Sequence, residues 1–130
     1  LNIYLLIRVL KTLYLRMERS TQNAQQVVDF LKGHPAVKEV LYTGKAGMIS
    51  FKVVDESKIP TIINRLSVFT FAESLGGVES LITYPSTQTH LDIPADIRQS
   101  YGLTDDLLRL SIGIEDADDL IADLKEALEA

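Results

Sequence analysis

Arg109 stands inside an apolar run, Leu107-Leu108-Arg109-Leu110-Ser111-Ile112-Gly113-Ile114. Strand alternation there puts Leu108, Leu110 and Ile112 on one face and Arg109 with Ser111 on the other. A planar guanidinium matches a carboxylate with two parallel hydrogen bonds, and a strand holds that fork more rigidly than a loop does. From pattern alone the simpler reading is an exposed-face arginine or a structural salt bridge. Ser74-Leu75-Gly76-Gly77 is a small-residue segment that could let backbone approach a ligand closely. It lacks the lysine spacing of a phosphate loop and the flanking glycines of a nucleophile elbow, so a turn is the simpler reading. His34 precedes Pro35 at a helix end and reads as a cap-region residue. Ser74, His90 and Asp92 can be imagined as a triad, but two of them are near neighbours in one loop and no geometry supports the grouping. Two histidines without spaced carboxylates do not make a metal site. The acids at 115 to 119 read as a helix start that exploits the positive amino-terminal end, not as a calcium loop.

These residues need a frame, and the composition bounds it. The 130 residues suit a single domain, 1–130, able to bury a core. Apolar residues at 46% and charged residues at 24% are globular values, which disfavours disorder. The net charge of −5 and the lack of any long basic stretch disfavour nucleic acid and an anionic membrane as partners. No cysteine is present, so disulfides and thiolate metal sites are excluded and a cytoplasmic setting is expected. The apolar opening, Leu1 to Leu10, is followed too soon by Lys11 and Arg16, and interrupted by Arg8, to read as a membrane span. Its basic residues do not precede the apolar run as a signal peptide requires.

Hydrophobic spacing then places the elements. Residues 3 to 18 read as a helix with a stripe of Leu6, Leu10, Leu13 and Met17, while Ile3, Leu5, Ile7 and Val9 lie on other faces. A helix greasy on more than one side wants two packing partners. A second helix over 21 to 32 would be capped by Thr21 and ended by Gly33 and Pro35. Residues 37–42 and 48–54 read as a hairpin, residues 58–66 as a helix with Pro60 in its first turn, and 68–72 as a strand. After Gly76-Gly77, a short apolar run spans 80–83. Pro94 opens a short helix closed by Gly102, 107–112 is a strand, and 116–129 is the last helix. The expected class is α/β of the α+β type: a largely antiparallel sheet of about four strands with helices packed on one face.

Several stretches together resemble one family. They are Leu10-Lys11-Thr12-Leu13 with Leu15-Arg16-Met17, His34-Pro35-Ala36-Val37, Gly47-Met48-Ile49-Ser50-Phe51, Ser74 to Ile82, Thr89-His90, and Leu108 to Asp116. In order and spacing they resemble the carboxyl-terminal portion of the Cys/Met-metabolism pyridoxal-phosphate (PLP) enzymes of fold type I, the cystathionine γ-synthase, γ-lyase and β-lyase group. The resemblance covers essentially the whole chain. It implies a carboxyl-terminal small domain whose first 20 residues form a linking helix that packs on a missing PLP-binding domain. It implies that Arg109 grips the α-carboxylate of an amino-acid substrate, cystathionine or a related compound. Ser74 and Thr89 would lie near the same pocket. Glu73 would match an acidic residue of the γ-synthase and γ-lyase members that meets a distal amino group, where many β-lyases carry something else. The cofactor of the parent enzyme would be pyridoxal 5'-phosphate, with no catalytic or cofactor-binding residue in this chain, because its lysines do not sit in the family's lysine motif. The parent would be a homo-oligomer, and the chain would be inactive without the missing domain. A free-standing amino-acid-binding or oligomerisation module is the alternative. Val9 departs from the family's usual glycine and Ser20 from its usual histidine, which bears on helix packing more than on substrate binding.

Overall fold

A computed structural model describes residues 2–44, 46–71, 79–85 and 104–129. Its first element, α1, runs unbroken over Asn2–Lys32. The two helices expected at 3–18 and 21–32 are therefore one, about 46 Å long at 1.5 Å per residue. No Gly or Pro lies between Arg19 and Gln22 to break the backbone ladder, so Thr21 is an interior residue and not a cap. Residues 10, 17, 24 and 31 also share one face, so a single helix keeps one continuous stripe. Only its second half is buried, through Asn23, Ala24, Val27, Val28 and Leu31. The helix ends as expected at Gly33, whose N–H bonds to the Phe30 carbonyl at 3.2 Å.

The hairpin forms as the β-rich runs dictate, with β1 at Val37–Leu41 and β2 at Met48–Val53. Its turn uses positive φ at Gly44 (85°) and at Ala46 (61°). Gly47 is needed for a different reason: a Cβ there would lie 2.6 Å from the Ile112 carbonyl oxygen. That close approach permits the 2.7 Å bond from the Ile112 N–H to the Gly47 carbonyl. A 3-10 turn at Glu56–Lys58 leads into α2, Ile59–Arg65, with Pro60 in its first turn.

Strand β3 is only Thr70–Phe71, shorter than the expected 68–72. It pairs parallel with β4, Leu81–Thr83, and β5 is Leu107–Ser111. Among the described residues the sheet has five strands in the order β1-β2-β5-β4-β3, not about four. Its remaining pairs are antiparallel, so the largely antiparallel expectation holds. The helix opened by Pro94 falls outside the described residues. The last helix, α3, is Ala117–Leu128; Asp116 caps it by accepting from the Asp118 N–H at 2.8 Å.

One sheet face carries Ile49, Phe51, Val53, Ile82, Leu108 and Leu110, all nearly or fully buried. Against it pack α1, α2 and α3 through residues such as Val28, Leu31, Ile62, Leu120 and Leu124. Each such side chain contributes about 1.5–3 kcal/mol on burial. The register Ile49↔Leu110↔Ile82 makes β5 the middle of this core, so its other face is held equally rigidly.

Candidate functional site

With Leu108 and Leu110 turned into the core, period-two alternation forces Arg109 onto the opposite sheet face. Its cross-strand neighbours there are Ser50 of β2 and Thr83 of β4. Ser111, Leu107, Leu81 and Thr83 on this second face are also buried, whereas Arg109 is only partly so. The guanidinium Nε is buried and, among the described residues, has no hydrogen-bond partner. A buried donor left without an acceptor costs about 1–3 kcal/mol, and more when it belongs to a charged group, so an anion meeting it is favoured. The arrangement therefore suits capture of a carboxylate by a planar fork in the middle of a sheet.

The approach to β5 is tied down from β1. The Asp106 carboxylate accepts from the Lys38 ammonium and from the Thr104 hydroxyl, and the Asp106 carbonyl accepts from the Val53 N–H at 3.0 Å. Burial alone pushes the Asp106 carboxyl up, but the Lys38 and Thr104 hydrogen bonds and the Lys38 charge outweigh it and hold it below its usual 3.8. The Lys38 ammonium is held above its usual 10.5 by the hydrogen bond to Asp106 and by that carboxylate's charge. A depressed carboxyl adds stability above its unfolded value and loses it as pH falls through the folded one; a raised ammonium adds stability below its unfolded value and loses it as pH rises. The pair thus contributes fully between 3.8 and 10.5. Asp106→Asn is expected to be less stable than the parent at neutral pH, with the gap closing below about pH 4. Urea midpoints of both proteins across that range check it; a gap that stays constant into acid contradicts it.

Of the other residues singled out from the sequence, Glu73, Ser74 and Thr89 lie outside the described residues, as do His90 and Asp92. The structure thus places Arg109 but does not test its grouping with the other three. His34 lies in the cap region just past the end of α1, as expected: its N–H donates to the Leu31 carbonyl at 3.2 Å and its Nδ1 accepts from the Ala36 N–H at 3.1 Å. Its Nε2 lies 3.6 Å from Glu129 Oε1. Among the described residues no group of three His, Asp or Glu side chains could hold a metal ion, and no helix is long and apolar enough to cross a membrane.

The acids at 115 to 119 divide. Asp116, Asp118 and Asp119 do start a helix, but Glu115 does not serve it. Its Oε2 accepts from the Ser80 N–H and its Oε1 from the Ser80 hydroxyl, both at 2.8 Å. Asp123, on the buried side of α3, accepts from the Ser67, Val68 and Phe69 N–H groups. Neither role is visible in sequence, because each joins segments more than thirty residues apart.

The family model described as Cys/Met metabolism PLP-dependent enzyme matches residues 1–129. The chain is 53% identical to a cystathionine gamma-synthase of Haemophilus influenzae, over 95% of this chain and 34% of that protein. It is 51% identical to a cystathionine gamma-synthase/O-acetylhomoserine (thiol)-lyase of Bacillus subtilis, over 96% of this chain and 34% of the relative. Among solved structures, a cystathione gamma lyase of Micromonospora echinospora superposes with a TM-score of 0.92 at 34% identity, covering 98% of this chain and 38% of its own. The chain thus spans about a third of the length of the curated relatives it matches.

Proposed function

The chain belongs to the Cys/Met metabolism PLP-dependent enzyme family, and from that premise we propose that it is the carboxyl-terminal, substrate-side domain of a transsulfuration enzyme. The enzyme would be of cystathionine γ-synthase, γ-lyase or β-lyase type. The observation that carries this reading is the buried Arg109 Nε, without an acceptor among the described residues, in the middle of the sheet. An amino-acid α-carboxylate supplies the missing partner. Gripped in two parallel hydrogen bonds, the substrate keeps one orientation, so that the bond to be broken is aligned before reaction. Ser50 and Thr83 are the cross-strand neighbours of Arg109 on either side. Glu73, Ser74 and Thr89 are assigned to the rest of the substrate pocket, Glu73 to a distal amino group.

The family is PLP-dependent; that cofactor supplies the electron sink for cleaving bonds at an amino acid. The described residues of this chain do not fit it. Lys11, Lys32, Lys38, Lys58 and Lys125 are exposed, and Lys52 lies 3.7 Å from Glu39. No lysine among them is both enclosed and unpaired, as a cofactor anchor must be. We therefore assign the cofactor cradle to polypeptide outside this chain, in keeping with relatives about three times as long.

The first half of α1 fits a contact with that cofactor part. On a wheel of 3.6 residues per turn, Val9, Leu13, Leu6, Met17, Leu10, Ile3, Tyr14 and Ile7 fall within an arc of about 160°, so Ile3, Ile7 and Val9 widen the expected stripe and do not lie on other faces. All are exposed, from 38% at Leu13 to 75% at Ile3. A contiguous apolar surface of this kind marks an interface.

The experiment is reconstitution. The chain with added PLP is expected to show no turnover of cystathionine. Supplying the upstream cofactor part of a close relative is expected to restore turnover, and Leu6→Asp with Leu10→Asp to abolish it. Turnover by the chain alone overturns the assignment. The exposed helix also favours a second reading, self-association of a free-standing module, which sedimentation of the parent and the double variant separates.

A further inference from the structure

Strand β4 is three residues long, yet it must hold Thr83 beside Arg109. A slip of one residue would turn Thr83 away and bring an apolar neighbour, Ile82, to that face. Three ladder pairs are a weak guarantee of register in so short a strand. The structure adds a polar latch at the end of the β4–β5 pair.

The latch centres on Ser80, which is fully buried and directly precedes β4. Its N–H and its hydroxyl both donate to the Glu115 carboxylate at 2.8 Å. The same hydroxyl oxygen accepts from the Gly113 N–H, also at 2.8 Å. The segment carrying Gly113 and Glu115 directly follows β5. Behind it, Asn23 of α1, 1% exposed, donates its amide to the Gly113 carbonyl at 3.1 Å and the Glu115 carbonyl at 2.7 Å. Among the described residues no cation lies within ion-pair distance of Glu115. Its charge is therefore met by Ser80, and charge-assisted bonds of this kind are roughly twice as strong as neutral ones. A helix start needs no such carboxylate, since Asp116 already caps α3.

We propose that Glu115, acting through Ser80, is a positioning residue for the Arg109 site: it sets the register of β4 against β5 and so the environment of the guanidinium. The proposal rests on the reading of Arg109 as the carboxylate clamp. It adds a functional role to a carboxylate whose reach to Ser80 spans 35 residues. Asn23 extends the latch into α1, so the helix proposed to meet the cofactor part is hydrogen-bonded to the same turn.

The test uses two readouts on Glu115→Ala, Glu115→Gln, Ser80→Ala and Ser80→Thr. The first is the Arg109 Nε–H resonance of the ligand-free chain by NMR. The second is the kcat and KM split of the complete enzyme, assayed well below each variant's melting temperature. Glu115→Ala and Ser80→Ala are expected to move the resonance and raise KM about tenfold, with kcat changed by about twofold or less, the pattern of weakened substrate binding. Ser80→Thr keeps the hydroxyl, and Glu115→Gln keeps one acceptor and the shape, so both are expected to recover part of the KM and to guard against simple loss of fold. An unmoved resonance and unchanged KM in variants that only melt earlier overturn the proposal and leave a structural latch. The resonance is read without substrate, so it still decides the positioning question if the parent protein proves not to bind an amino-acid carboxylate there, which would instead defeat the clamp reading.

Discussion

If Arg109 is the proposed clamp, Arg109→Lys in the complete enzyme is expected to lower kcat/KM for the proposed amino-acid substrate by about a hundredfold or more, as a rigid two-point fork becomes a single mobile charge. Arg109→Met is expected to lose still more activity but to leave the substrate-free chain as stable as the parent or more so. The opposite signs follow from one observation, the buried Nε with no acceptor among the described residues. Before substrate arrives the Nε–H is desolvated with no acceptor among the described residues, and an apolar side chain of similar length removes that cost. In the proposed reading, the substrate carboxylate turns that burial into binding energy. Steady-state kinetics and urea unfolding of the parent and both variants check the pair of signs. An Arg109→Met chain that is several kcal/mol less stable would mean that the arginine is chiefly a structural partner.

The largest loss of stability is expected at Asp123. Its side chain sits on the core side of α3 and is 5% exposed. One oxygen accepts from the Ser67 N–H at 2.9 Å and the Ser67 hydroxyl at 3.0 Å. The other accepts from the Val68 N–H at 2.8 Å and the Phe69 N–H at 3.0 Å. These donors form the turn between α2 and β3, and without the carboxylate the buried Phe69 N–H and the part-buried Ser67 and Val68 N–H groups would lose their acceptor. Asp123→Ala is expected to cost about 3–5 kcal/mol. Asp123→Asn is the sharper test, because its amide would point an N–H₂ at donors and should cost nearly as much despite its equal size. Urea unfolding of both variants measures this. An asparagine variant as stable as the parent would show that size, not the carboxylate, is what the turn requires.

Both residues show where sequence reading succeeds and where it stops. The alternation through Leu108, Arg109 and Leu110 placed the arginine on the face opposite the core, and the structure agrees. The hairpin of β1 and β2 and the last helix were also legible, because each is written in local spacing and local turn residues. The break expected near Thr21 was misplaced: a threonine favours a cap only where the chain leaves the helix, and nothing there makes it leave. The fifth strand was hard to count because β3 is two residues held by pairing with β4. Asp123 lies among the acids of a helix whose apolar stripe is the stronger signal, so its service to a turn fifty-four to fifty-six residues away left no local trace.

Family resemblance and the amphipathic pattern of each element were properties of the linear chain, because residue type and spacing are local quantities. They carried the choice of Arg109, the greasy first half of α1 and the mixed, largely antiparallel class. Folding decided that Arg109 lies on the central strand between Ser50 and Thr83, with a buried Nε and no described acceptor. It also decided that Glu115 meets Ser80 and not the helix it precedes. Those facts depend on which distant backbones pair and which polar groups lose water together. Desolvation belongs to the assembled sheet, and no single segment contains it.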